Sequence, residues 1–422
     1  MTITRQLVTR GASESAKFKP SVILALFLGL LGAVLSFSQA AASIGVALEN
    51  FRPLGGMFFS WSSGQRSLAL SLYEGDKKIP AQRLIAAGRT GLGYAPLSAR
   101  SMWLVGKGFE AQGRIGDARK AMKRAERISR RDGSVQLWLA NDELRRGLVA
   151  SSLRHYDLII RAEPRAADQI VVRLAAIVTA PQGRRYLQPY IRQDNGWLPA
   201  LLGTAVISLP KAEPLGLLLT ERKGKAPVLP ELDPIYEKLV SRLVAEGAHD
   251  VALRLYPLLP RGSSAALTNL SGVIDGKPVD GYPPFTWMFG QEAQGATLLS
   301  LNNGKSGMEF YGASSTVGVA ATKLVDPKSA TLLRWRIDER SPNLQSSATW
   351  IATCIAGRSK GEQRTSVNLL GQSVPLKKGL TMQLPGQCDL IRLDMRIIGG
   401  IGRNPASLIV SDLGLTGSTE RS

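Results

Sequence analysis

The sequence predicts a multidomain α plus β protein with an N-terminal transmembrane helix, an α-solenoid of helix pairs and a C-terminal antiparallel β-sandwich of jelly-roll type. Three observations predict this architecture: an uncharged apolar run after a basic lead, helical periodicity in the middle of the chain, and short strand-like runs after it. The 422 residues are enough for two or three domains with their own cores. We divide them into a basic cytoplasmic lead (1–20), a transmembrane anchor or signal segment (21–47), a helical region (48–270) and a sandwich (271–422).

The N-terminal segment has no charged residue between Lys19 and Glu49, and its most apolar part runs from Val22 to Phe37. With the Ala- and Ser-rich residues that follow, it reaches the roughly 20 residues that span a bilayer, which favours a retained single-pass anchor. A cleaved secretory signal, ending at Ser38-Gln39-Ala40 or just after it, is the second interpretation. A buried core helix is the third. The basic lead predicts that the bulk of the chain is exported.

The chain carries a net charge of +20, most of it in residues 48–270. Such a charge is typical of nucleic-acid binding, but export and the lack of a nucleic-acid-binding motif argue against that class. Anionic lipid headgroups, acidic polysaccharide and acidic proteins remain as partners. The alternative is that the basic side chains are simply solvated.

The middle region shows helix pairs, most clearly over Ser98–Arg131. Its first half repeats small and apolar residues at helical spacing, Gly113–Gly116 interrupts the pattern, and a second helix begins at Asp117. The pattern returns 34 residues later, and an earlier copy lies before it. The positions that carry the recurrence are Met102, Val105, Gly106, Phe109, Ala118, Met122, Ala125 and Ile128, then Ala140, Ser152, Tyr156 and Ile159, with Ala69, Leu72, Ala81, Ile85 and Gly88 in the earlier copy.

This skeleton resembles the tetratricopeptide repeat, and the resemblance implies a solenoid whose concave surface binds a protein partner. A compact helical spacer is the alternative. Beyond Pro164 the repeat is lost, although further helices are expected over Asp168–Val178 and Gly183–Val206. Residues 210–234 contain five prolines and predict a loop, and a last helix pair is expected over Pro234–Leu259.

One predicted helix is unusually basic. Steps of four residues place four side chains on one exposed stripe, where they are candidates for contact with an anionic surface: Arg119, Lys123, Arg127 and Arg131. A solvated helix face is the alternative.

From Gly272 onward, short runs rich in Val, Ile, Leu, Thr and Trp alternate with Gly, Asn, Pro and Ser clusters. The strands are expected at Gly295–Leu301, Ser306–Tyr311, Val317–Val325, Thr331–Asp338, Ala348–Ala356, Thr365–Leu370, Leu380–Leu384, Asp389–Ile397 and Ser407–Leu415. Ile391, Leu393, Met395 and Ile397 alternate with polar residues and are expected to face inward.

The strand rhythm and the placement of Trp, Gly and Cys resemble the non-catalytic carbohydrate-binding sandwiches of exported bacterial proteins. The resemblance implies that Tyr282, Trp287, Trp335 and Trp350 could form a sugar-stacking platform, with Trp287 first because it adjoins a loop. A Trp in a sandwich strand is, however, more often a core residue.

Cys354 and Cys388 are the only cysteines in the chain. In an oxidising compartment they most simply form a disulfide, and two buried free thiols are the alternative.

No catalytic motif is present, and His155 and His249 have no predicted partners for a catalytic triad or a zinc site. We therefore expect a non-enzymatic accessory protein of the bacterial cell envelope, without cofactor or metal, that binds an envelope or exported polysaccharide, scaffolds its synthesis or export, or does both. It would be anchored in the inner membrane by residues 21–47 with its bulk in the periplasm, or be soluble there or secreted after signal cleavage. A carbohydrate-active enzyme with its site in the sandwich and a pure protein–protein scaffold are the alternatives.

Overall fold

A computed structural model describes residues 20–47, 79–94, 96–274, 277–290, 293–301 and 306–417 of the chain. The chain divides into two compact units, with the boundary between Glu163 and Pro164. The predicted boundary at residue 270 instead marks the change from helices to strands, because several helices belong to the same unit as the sandwich.

The first helix, α1, spans Pro20–Ala47. Its side chains are described at Ser21 and over residues 24–37, where they are exposed. Among the described residues, none of the helices has both the length and the apolar character needed to cross a membrane. The predicted transmembrane helix therefore gains no support from the described residues.

Five further helices make up the described part of the first unit: α2 Ala81–Tyr94, α3 Ala99–Ala111, α4 Ile115–Ile128, α5 Gly133–Arg145 and α6 Val149–Ala162. The pair α5/α6 begins and ends 34 residues after the pair α3/α4, so the predicted recurrence is confirmed as two helix pairs with the same lengths. The first helix of the earliest copy, with Ala69 and Leu72, lies outside the described residues.

Matching local signals set the bounds of these pairs. Ser98 caps α3 by accepting a hydrogen bond from the N–H of Ser101, and Asp132 caps α5 in the same way. Gly113 and Gly147 then follow the two helices with φ of +75° and +74°, which a residue with a Cβ rarely adopts. Each cap and each glycine recurs after 34 residues, and the two helix pairs therefore turn in the same way.

The basic helix is shorter than predicted, because α4 ends at Ile128 and the chain turns over Arg130 and Arg131. Arg131 therefore does not continue the stripe of Arg119, Lys123 and Arg127.

The second unit begins with seven helices: α7 Ala167–Ile177, α8 Pro181–Leu187, α9 Leu198–Ser208, α10 Glu213–Thr220, α11 Asp233–Ala245, α12 His249–Leu255 and α13 Ser264–Thr268. Short 3-10 turns lie at Pro164–Ala166, Gln188–Tyr190, Pro230–Leu232 and Tyr256–Leu258. The last predicted pair is confirmed, since α11 and α12 turn at Gly247 with φ of +81°.

Two predictions for these helices are wrong. The predicted helix over residues 183–206 is divided, because Pro189 lies in a 3-10 turn and the Asn195 amide donates to the carbonyl of Tyr190. The predicted loop over residues 210–234 contains α10, in which Pro214 occupies the first turn, where its missing N–H costs no hydrogen bond.

Twelve strands follow among the described residues: β1 Val273–Ile274, β2 Lys277–Pro278, β3 Met288–Phe289, β4 Gln294–Ser300, β5 Ser306–Gly312, β6 Val317–Val325, β7 Leu332–Ser341, β8 Ser347–Gly357, β9 Gln363–Thr365, β10 Gly379–Gln383, β11 Cys388–Ile398 and β12 Ala406–Thr416. They form a hairpin (β1-β2) and two antiparallel five-stranded sheets, in the orders β10-β7-β12-β5-β4 and β3-β6-β11-β8-β9. One hydrophobic core lies between these sheets and includes the inward residues predicted on β11.

The predicted strand Thr365–Leu370 is largely wrong, because pairing between β8 and β9 ends at Thr365. Beyond it, the Ser366 hydroxyl and the Asn368 amide oxygen accept hydrogen bonds from the N–H groups of Trp350 and Ala348. Side chains thus replace the backbone acceptors that a longer strand would have supplied.

The predicted disulfide is confirmed: Cys354 on β8 is bonded to Cys388 on β11, with Cα atoms 5.7 Å apart.

Candidate functional site

A cleft of about 350 Å³ lies within the second unit, where its helices meet the sandwich. We call it the Trp287 cleft. The side chains that give it chemical character come from α11, from the loop before α13, from the segment between β2 and β4, and from β6. They are Glu237, Arg261, Asp280, Trp287, Phe289 and Lys323.

Trp287 is half-buried and forms part of the cleft wall. Its indole N–H donates to the carbonyl of Leu270 over 3.0 Å, and its ring lies 6.1 Å from that of Trp350, tilted by 42°. The buried side of the ring therefore packs on the sandwich core and holds the indole in one orientation. A ring fixed in this way can present its remaining surface to a ligand with little loss of entropy on binding.

The segment before Trp287 is fixed to both the helices and the sheet. The backbone N–H of Tyr282 donates to the Tyr256 hydroxyl at 3.1 Å, and the carbonyl of Pro284 accepts from the N–H of Leu324 at 2.8 Å. The Tyr282 hydroxyl donates to Asp233 at 2.7 Å. These bonds hold the wall of the cleft in place from two sides.

Lys323 reaches the cleft from inside the protein. It lies on β6 opposite Leu393, on the core face of its sheet, and only 1% of its surface is exposed. Its ammonium donates to the carbonyl of Ala266 at 2.8 Å, the one acceptor recorded for it among the described residues. Because burial disfavours the charged form, the pKa of Lys323 is lowered to about 7.

The rim of the cleft carries an ion pair and an unpaired carboxylate. Arg261 contacts Asp280 at 2.6 Å, and its guanidinium lies 5.3 Å from the centre of the Tyr282 ring. The hydrogen bond from Arg261 lowers the pKa of Asp280. Glu237 on α11 is exposed and has no recorded ion pair with any described residue. The cleft thus combines an aromatic wall with donors and acceptors of both charges.

The structure separates the four aromatic side chains predicted as a stacking platform. Tyr282, Trp335 and Trp350 are fully buried, the first beneath Arg261 and the other two in the sandwich core. A sugar cannot stack on a ring that has no exposed face, so we do not carry the prediction forward for these three residues. Trp287 alone of the four lines the cleft.

Sequence reasoning missed Lys323, Glu237 and the Arg261–Asp280 pair. The signal for Lys323 was present, because Ala321, Lys323 and Val325 occupy alternate positions on one strand and the outer two are apolar. A lysine on the buried face of a strand is a rare feature with an energetic cost. The carboxylates had no such signal, because the fold alone brings α11 and residue 280 to one cleft.

The predicted anionic-surface residues have different environments. Arg119 binds Asp142 on α5 through two hydrogen bonds of 2.6 and 3.0 Å, and is thereby held against a carboxylate that is 3% exposed. Lys123, Arg127 and Arg131 are exposed, and no ion pair is recorded for them with any described residue.

Over the described ranges, no group of His, Cys, Asp and Glu is arranged to hold a metal ion. His155 lies 1% exposed inside the first unit, beside Gln136 and Glu143, while His249 lies in the second unit.

No known protein family matches the chain, and no curated protein is significantly similar to it. Neither the tetratricopeptide resemblance nor the carbohydrate-binding resemblance therefore gains support from related sequences.

Proposed function

We propose that this chain is a non-enzymatic accessory protein of the bacterial cell envelope that binds polysaccharide in the Trp287 cleft. The observation that carries the proposal is the position of Trp287, the one predicted stacking residue that remains half-buried and lines a cleft. Flat aromatic rings cover the apolar face of a sugar, while hydroxyls need donors and acceptors nearby. Arg261 supplies donors, and Glu237 supplies an acceptor.

The ion pair at the rim favours binding over catalysis. Glycoside hydrolysis uses two carboxyl groups, one of which stays protonated to act as a general acid. Arg261 lowers the pKa of Asp280, so this carboxyl is ionised and unsuited to that role. The Oδ1 atom of Asp280 is also held by the Arg261 guanidinium at 2.6 Å, which makes it less available as a nucleophile or base. Glu237 is then the one remaining carboxyl among the residues that line the cleft.

The fold is compatible with this function. From β5 to β12 the chain passes back and forth between the two five-stranded sheets, in the strand order of a jelly roll. The jelly-roll architecture includes lectin domains. The helix pairs α3/α4 and α5/α6 would bind a protein partner, and residues 21–47 would anchor the chain in the inner membrane or direct its export to the periplasm.

The direct test is binding of the full chain to exopolysaccharide and to lipopolysaccharide purified from the source bacterium, measured over a range of salt concentrations. We compare the wild type with Trp287→Ala and Glu237→Gln. Glu231→Gln is the matched control, because Glu231 is also exposed and lies outside the cleft. We expect at least a tenfold loss of affinity for Trp287→Ala and a smaller loss, about threefold, for Glu237→Gln.

Trp287 packs on Trp350, so thermal unfolding must show that Trp287→Ala remains folded. If Trp287→Ala does not fold, Glu237→Gln still tests the proposal, because it changes an exposed side chain and should leave the fold intact. Binding that survives high salt and is lost in both cleft variants supports the proposal. Binding that is unchanged in both variants, or absent for both polysaccharides, refutes it.

A further inference from the structure

A second cleft, of about 400 Å³, lies in the first unit between α4 and α6. We call it the arginine cleft. Arg127 and Arg130 line it from the end of α4 and the turn that follows, and Arg154 and Leu158 line it from α6. Glu126 is the one carboxylate among the residues that line it.

The three guanidinium groups of this cleft have no recorded ion pair with any described residue, and all three side chains are exposed. Two other arginines of these helices do have partners: Arg119 of α4 pairs with Asp142 at 2.6 Å, and Arg161 of α6 pairs with Asp157 at 2.9 Å. Arg124 of α4 is exposed and unpaired among the described residues, but it does not line the cleft. The arginine cleft therefore differs in bringing three such guanidinium groups together around one cavity.

Glu126 does not supply the missing partner. The nearest basic group recorded for it is the Nδ1 atom of the buried His155, 3.7 Å from its Oε1 atom. The cleft is therefore lined by three arginines against one glutamate that is not paired with any of them. Like charges held close together repel one another, and an anion that binds between them removes that repulsion.

We propose that the arginine cleft binds the phosphate group of an anionic ligand. A guanidinium presents a planar fork of donors that matches phosphate oxygens, and three such forks around one cleft match the several acceptor oxygens of one phosphate. The volume of about 400 Å³ also leaves room for the group that carries the phosphate. A lipid headgroup and a soluble phosphate ester share this chemistry. The site lies in the first unit and does not depend on the Trp287 cleft.

The test uses the full chain and two probes: inorganic pyrophosphate in solution, and vesicles of phosphatidylglycerol in phosphatidylcholine compared with phosphatidylcholine alone. This comparison subtracts any insertion of α1 that does not depend on charge. The cleft variant is R127Q/R130Q/R154Q. The matched control is K123Q/R124Q/R131Q, which removes the same charge from exposed residues of α4 and its following turn that do not line the cleft.

We expect the cleft variant to lose at least tenfold in affinity for one of the probes and the control to lose less than about threefold, since each charge-assisted hydrogen bond is worth more than a diffuse attraction. Pyrophosphate binding would identify a soluble phosphate ester as the ligand, and binding to the anionic vesicles alone would identify a lipid headgroup. Equal losses in the two variants would show that only diffuse attraction acts and would overturn the proposal. No binding to either probe would overturn it as well. Circular dichroism of both variants checks that they remain folded.

Discussion

Replacing Lys323 with Met should change how the stability of the second unit depends on pH. The folded ammonium loses its proton near pH 7, whereas the ordinary value of 10.5 applies when the chain is unfolded. Below pH 7 both states are charged, and the full cost of burying the charge is present. Between these two pH values the unfolded state binds more protons, so the free energy of unfolding of the wild type rises with pH. Met at this position has no proton to lose.

The size of the effect follows from the two pKa values. The lowering from 10.5 to about 7 corresponds to a ceiling of roughly 5 kcal/mol, at about 1.4 kcal/mol per pH unit. The variant also loses the hydrogen bond to the carbonyl of Ala266, which offsets about 1 kcal/mol. We therefore expect Lys323→Met to be more stable than the wild type by about 2 to 4 kcal/mol at about pH 6. The difference should shrink steadily toward about pH 9.5.

Urea unfolding at about pH 6, 7.5 and 9, followed by tryptophan fluorescence, measures this difference. Lys238→Met is the control, because Lys238 is exposed on α11 and its replacement should give a difference that does not vary with pH. A difference for Lys323→Met that stays constant from pH 6 to 9 would refute the reasoning. It would show that the ammonium is solvated in the folded protein.

Two further predictions concern the disulfide of the second unit and the Arg119–Asp142 ion pair of the first unit. Reducing the Cys354–Cys388 bond, or replacing both residues with Ala, should lower the free energy of unfolding by about 3 to 4 kcal/mol, because the bond closes a loop across 34 positions; an unchanged urea midpoint would contradict this. Arg119→Ala should destabilise the first unit by about 1 to 3 kcal/mol, because it leaves the buried Asp142 carboxylate with only the more distant Arg145, at 3.9 Å, as an ion-pair partner among the described residues. Arg127→Ala should change stability by less than about 0.5 kcal/mol, and thermal unfolding that gave equal losses for the two would count against the assigned roles.

Most secondary structure was predictable where one physical signal dominates. Eight of the nine predicted strands are present within three residues at each end, because alternation and turn residues mark a two-sided sheet. The 34-residue recurrence likewise predicted the helix pairs, since caps and glycines repeat with it. The errors occur at residues whose type is compatible with two different local structures. Pro214 indicated a loop but begins a helix, and Asn368 lies in a predicted strand but replaces its backbone pairing.

The candidate site was predictable only in part. Trp287, which the sequence places beside a loop, is half-buried, whereas Trp335 and Trp350 belong to strands of the core. Its neighbours were not predictable, because Glu237 and Asp280 are brought to the cleft by tertiary packing that leaves no local pattern. A basic stripe read from helical spacing similarly could not show that Arg119 is paired with a buried carboxylate while Arg127 is not.

Polysaccharide binding at the Trp287 cleft can be located directly by hydroxyl-radical footprinting of the full chain with and without the purified envelope polysaccharide. Trp287 and Trp103 are both half-buried, and they lie in different units, so Trp103 is an internal control. We predict that polysaccharide lowers oxidation of Trp287 and leaves that of Trp103 unchanged. Unchanged oxidation of Trp287 under conditions where the polysaccharide is bound would contradict a glycan site in this cleft.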